Sequence, residues 1–204
     1  MTDWGRSRRA ALMLGLGPVV IWTAACANST ATIPSATPSP SAASTTIAPG
    51  VSVNPSELAL PPYSVSASNP LPAGTSAKQV VSDVIIDDLI ENLALVRAAP
   101  ELLMYSDSGG VLTIDRNQIA TDESTGTRVI SVEDSVSNMQ VGAQADPNNS
   151  ASKIAVLVQG TETTRERSPS HPPHTTVANF KVLVWVVWSK EDDRYLQCDV
   201  STLS

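Results

Sequence analysis

The side chains that could do chemistry in this chain are few, and the most concentrated are acidic. Asp83, Asp87 and Glu91 recur at intervals of four with Asp88 beside them, a spacing that places all of them along one ridge of a helix. Paired carboxylates for acid–base work, or oxygen ligands for a hard cation, would be sought on such a ridge. Hard-cation loops also need carbonyl ligands and a turn glycine, and "VSDVIIDDLIEN" supplies neither, so the ridge reads as a solvated helix face. The only two histidines, His171 and His174, stand in "SPSHPPHTT". Pro172 and Pro173 extend the backbone between them and no third ligand is in sight, so this segment reads as a hairpin loop and no metal is expected. No Gly-x-Ser-x-Gly elbow accompanies the many serines, and "DSGG" lacks the glycine spacing and lysine of a phosphate loop. Asp199, Tyr195 and Asp107 are the polar groups left for catalysis to draw on, and the chain reads as non-enzymatic, without a cofactor.

Two cysteines remain. Cys198 alternates with Gln197 and Asp199 and reads as a small core residue. Cys26 sits where a greasy segment meets a Ser/Thr/Ala/Pro tract. Before it come Arg6, Arg8 and Arg9, then an apolar run over residues 10–25, then small residues, which is the three-part plan of an export signal. At 1.5 Å per residue that run spans roughly 24 Å, short of a bilayer core, so a permanent membrane span is the lesser reading. Thr23, Ala24, Ala25 and Cys26 resemble a bacterial lipobox, with Thr23 in place of the usual aliphatic residue. The resemblance implies cleavage before Cys26 and its lipidation, which anchors the chain to the outer face of the cytoplasmic membrane or in the cell envelope. Ser7, Arg8, Arg9 and Leu12 also resemble a twin-arginine signal, leaving the general secretory route and that route both open.

Residues 26–72 hold most of the prolines and almost no charge, a composition that cannot offset its own ordering entropy, and they read as a disordered tether. The expected domain is then 73–204. Its net charge, part of −7 for the whole chain, argues against a phosphate backbone as partner, so nucleic acid is excluded. Aromatics make up only 4% of the chain, and Phe180, Trp185, Trp188 and Tyr195 crowd into one short region.

The elements that must position these groups follow from periodicity. Ser76 and Gln79 have capping-box spacing, and Val81, Ile85, Leu89, Leu93 and Val96 step at three and four, widened by Val80, Val84, Ile86 and Ile90. So broad a stripe must be buried on two sides. A short helical piece and a second helix near residues 112–121 follow, separated by Gly109 and Gly110. Then come four stretches rich in β-branched and aromatic residues, "TRVISVEDSVSNMQVGAQA", "KIAVLVQGTETTRER", "TVANFKVLVWVVWS" and "RYLQCDVS", with Glu191, Asp192 and Asp193 turning the last hairpin. Val182, Val184, Val186 and Trp188 form one face of the third strand and Leu183, Trp185 and Val187 the other, so it must be central and covered twice. The expected class is α+β, with N-terminal helices packed on a curved antiparallel β-meander of about four strands.

This order of elements resembles the cone-like nuclear transport factor two-like fold. More narrowly, "KIAVLVQGTETT", "FKVLVWVVW" and "DRYLQCDVS" resemble the tail of actinobacterial Mce-associated proteins, with Arg194, Tyr195 and Asp199 in matching positions. The resemblance implies an accessory or scaffold component of an envelope transport or secretion assembly, with an envelope protein partner or self-association. A carrier of small hydrophobic ligands, with Phe180, Trp185, Trp188 and Tyr195 at a cone pocket or interface, is the alternative.

Overall fold

The protein is represented by a computed structural model that describes residues 45–54, 57–145 and 152–203. Residues 1–25, expected to form a signal peptide, and Cys26 lie outside the described residues. A small hairpin of β1 (Thr45–Ala48) and β2 (Val51–Val53) comes first, then β3 (Tyr63–Val65), α1 (Ala77–Arg97), a 3-10 helix (Pro100–Tyr105), α2 (Gly109–Thr125) and four longer strands. These are β4 (Arg128–Ala145), β5 (Ser152–Ser168), β6 (His171–Ser189) and β7 (Arg194–Thr202). α1 begins where the Ser76 hydroxyl accepts the Gln79 N–H at 3.3 Å. It ends where left-handed Ala98 returns its N–H to the last carbonyls, two residues before Pro100.

The expected four-stranded antiparallel meander is corrected. The sheet has five strands in the order β3-β4-β5-β6-β7, and it is mixed, because β3 runs parallel to β4 while the other neighbours are antiparallel. A three-residue strand inside a proline-rich stretch has no period to betray it. It forms because Pro62 accepts the Met139 N–H and the Val141 carbonyl accepts the Ser66 N–H. The expected boundary at residue 73 moves for the same reason. Described strands lie from Thr45 onward within what reads as tether, since a few spaced apolar residues find places in the core. Leu60 and Leu71 pack against the sheet-side cluster, and Ile47, Val51, Val53 and Leu58 against the helix-side cluster. "SPSHPPHTT" is also more strand than loop, with β6 starting at His171.

α1 lies between two layers, so its breadth of apolar residues is used twice. Val80, Val81 and Val84 meet the sheet at Met139, Val141, Val156, Val158, Val182 and Val184. Ile86, Ile90 and Ala94 meet Leu102 and Leu103 of the 3-10 helix, Ile119 of α2 and Ala48 of the hairpin. The long strands bend where Gly160 faces Phe180: a Cβ on Gly160 would lie 2.7 Å from the Phe180 ring and 2.5 Å from the Ser135 carbonyl oxygen. The β4–β5 register also shifts there, between Val136 and Asn138. Beyond the bend β7 no longer flanks β6, and Pro172 and Pro173 stand on the edge so left, where a missing N–H discourages further pairing.

Loss of residues 45–72 should therefore be costly. A chain starting at Ala73 gives up Leu58, Leu60 and Leu71 together with β3, and is expected to lose at least about 3 kcal/mol, the scale of one or two large-to-small core changes. Urea unfolding of chains starting at Thr45 and at Ala73 measures it.

Candidate functional site

The acidic ridge of α1 is not a solvated face. Asp83, Asp87, Asp88 and Glu91 are all buried, while Leu89 and Val96, expected inside, are 46% and 37% exposed. The helix is turned by what its carboxylates must reach. β7 is the edge strand, and its outward N–H groups need acceptors. Asp83 Oδ2 accepts the Tyr195 N–H at 3.0 Å, and Asp87 Oδ2 accepts the Gln197 N–H at 3.1 Å. Asp87 Oδ1 forms an ion pair with buried Arg194. On the same edge the Ser108 N–H donates to the Gln197 carbonyl at 2.7 Å, and the Ser106 carbonyl accepts the Gln197 N–H at 3.1 Å. Burial pushes the Asp83 carboxyl up to about 6, against the opposing pull of the Tyr195 N–H and Arg194. Burial also lowers the Arg194 guanidinium to about 10.

One turn further along α1 a second group gathers. Glu91 meets Asp107, from the link between the 3-10 helix and α2, and Asp115, on the second turn of α2, with one oxygen of each within 4.8 Å of the others. All three are buried. The link is held by the Asp107 N–H, which donates to the Leu103 carbonyl at 2.8 Å, and by a bridge from Asp107 to Gln197. Gly109 lets it lie flat on β7: its φ is +57°, and a Cβ there would come within 3.0 Å of the Cys198 carbonyl oxygen. Gln197 is buried beside the group, and a cavity of about 30 Å³ lies between Asp88, Glu91, Asp115, Gln197 and the valines of β6. An all-oxygen donor set of this kind suits hard cations rather than soft transition metals.

The aromatic residues do not meet in one place. Phe180 and Tyr195 are buried in the sheet-side core, and Trp188 packs against the same core, edge-on to Tyr195 with ring centroids 5.0 Å apart. Trp185 lies on the opposite face of the sheet, half-buried, beside half-buried Leu183 and Val187. Cys198 is fully buried, as its alternation implied. Of the three polar residues weighed for catalysis, Asp107 alone joins the carboxylate group, while Tyr195 belongs to the core and Asp199 pairs across from Trp185. Sequence reasoning missed Asp115 and Gln197 altogether. Their signal is tertiary, since nothing in "VLTIDRNQI" or "RYLQCDVS" announces that the two meet.

No family model matches the chain, and no curated protein matches it. Among solved structures it is similar to the intermembrane space region of chloroplast protein ARC6, with a TM-score of 0.51 and 19% identity over 64% of this chain and 98% of that one. The likeness is one of fold. Among the described residues no helix is long and apolar enough to cross a membrane.

Two outcomes test the edge lock. The folded Asp83 carboxyl titrates near 6 against 3.8 for the free group, so its contribution to stability is complete below about pH 4 and lost as pH rises through 6. Urea unfolding between pH 4 and 7 should show a decline of roughly 2–3 kcal/mol that Asp83→Asn removes. Asp87→Ala, which strands Arg194 in the interior, should cost about 3–5 kcal/mol in the same assay.

Proposed function

We propose that the chain is a non-enzymatic, lipid-anchored envelope domain that docks another envelope protein on the open face of its sheet, as an accessory or scaffold subunit of a transport or secretion assembly. The observation that carries this reading is the two-sidedness of β6. Val182, Val184 and Val186 are buried under the helices, whereas Leu183, Trp185 and Val187 stay half-exposed on the far side. Against Leu183 lies its cross-strand partner Leu157, and with Leu203 the two line a shallow depression of about 150 Å³, rimmed by Ser66, Asn69 and Gln140. An apolar floor with a polar rim is the pattern of a protein contact. The carrier alternative has less behind it. Between helices and sheet the cavity holds about one water, far from the ~300 Å³ or more that a small hydrophobic ligand fills. Anchoring through Cys26 rests on the sequence motif, and Cys26→Ala should move the protein out of the membrane fraction.

The docking face is tested by contrast. Trp185→Ala should cost about 1 kcal/mol, whereas Phe180→Ala, in the core, should cost about 3–5. A photo-crosslinker at position 185 in intact cells should give one discrete adduct, absent when Leu183 is replaced by Asp and absent from a probe at Val177 beyond the bend. If Trp185→Ala unfolds the domain as Phe180→Ala does, or if position 185 gives no adduct, the open face is ordinary core and the reading falls.

A further inference from the structure

Three elements bring carboxylates to one buried point, Glu91 from α1, Asp107 from the link and Asp115 from α2, and Gln197 of β7 lines the cavity beside Glu91 and Asp115. Three carboxylates within 4.8 Å of one another repel strongly at low dielectric unless positive charge lies among them. Protons alone would relieve that repulsion, but they leave Gln197 unexplained. Its side chain is 97% buried and lines the cavity with Glu91 and Asp115, and its Nε2 makes no hydrogen bond. A buried N–H donor without a partner carries its full desolvation cost. Turned about its last bond, the same amide presents Oε1 in place of Nε2, an acceptor in place of a donor. An oxygen ligand at that place completes the group.

We propose that Glu91, Asp107, Asp115 and Gln197 form a structural site for Ca²⁺. Three carboxylates and one amide offer up to about seven oxygens, within the six to eight that Ca²⁺ takes. The cavity has room for about one water, which selects against Mg²⁺, an ion that keeps several waters and demands a strict octahedron. The ion ties α1, α2 and the edge strand into one unit, independently of what the open face of the sheet binds.

The test uses the full-length chain, purified in detergent, stripped with EGTA and titrated with CaCl₂ by calorimetry and by thermal melting. One Ca²⁺ per chain and a melting temperature raised by at least 5 °C at saturation are expected, with Mg²⁺ binding at least tenfold more weakly. Asp115→Asn and Gln197→Leu should each weaken Ca²⁺ at least tenfold while keeping β-type circular dichroism. Gln197→Leu leaves every carboxylate in place and so isolates the amide ligand. Should either variant fail to fold, the wild-type chain still decides by its calcium stoichiometry and its response to EGTA. A wild-type melting temperature indifferent to both EGTA and 1 mM CaCl₂, or Ca²⁺ binding undiminished in both variants, overturns the site.

Discussion

The structure depends on how the edge strand β7 is closed. A strand at the rim of a sheet exposes a row of N–H and C=O groups that water or another strand must satisfy. Here the acceptors are carboxylates of a helix: Asp83 and Asp87 take the Tyr195 and Gln197 N–H groups, and Asp87 takes Arg194 as well. From this follow the rotation of α1, the exposure of Leu89, and the approach of the Ser106–Ser108 segment, whose own backbone pairs with Gln197. Charge is buried here in a directed way. Asp87 points one oxygen at a backbone donor and the other at a guanidinium, an arrangement that offsets part of its desolvation, whereas at Asp83 burial outweighs the Tyr195 N–H and raises the carboxyl.

The parts of the fold legible in the sequence are those whose signal is local. The β-branched density of β4 to β7 and the capping residue Ser76 each mark their element within a few neighbours, and the alternation in β6 separates Trp185 from Trp188 correctly. The rotation of α1 is not local. Apolar residues surround most of that helix, so its period does not say which side turns inward. The acids appear free to face water until Arg194 and the bare edge of β7 come into view more than a hundred residues later. The hairpin and β3 are hidden for a related reason. Composition describes what a segment can bury by itself, whereas Leu60 and Leu71 gain their burial from a core built by other elements. The carboxylate group of Glu91, Asp107 and Asp115 inherits both difficulties, since its members come from three separate segments that only the folded chain unites.

The two faces of the sheet divide its work. One side is covered by α1 and holds the charged lock, so it is fixed by close packing and paired charge. The other side carries Leu183, Trp185 and Val187 on the same backbone, half-open to solvent. Because residues alternate along β6, the rigid side sets the register of the open one. Gly160 extends this control by leaving room for Phe180 and the Ser135 carbonyl where the β4–β5 register shifts.

The lock also has a consequence in time. The carboxylates of α1 and their backbone partners on β7 are separated by 112 and 110 positions, so the loop that joins them spans most of the described chain. Closing a loop of that length is among the slowest and entropically dearest steps a chain of this size faces. As the polypeptide emerges from its N-terminus, α1 is made long before the strand that carries its partners. The nine-residue strand β7 is the keystone of that closure: it carries the N–H partners of Asp83 and Asp87 and the buried Arg194 together.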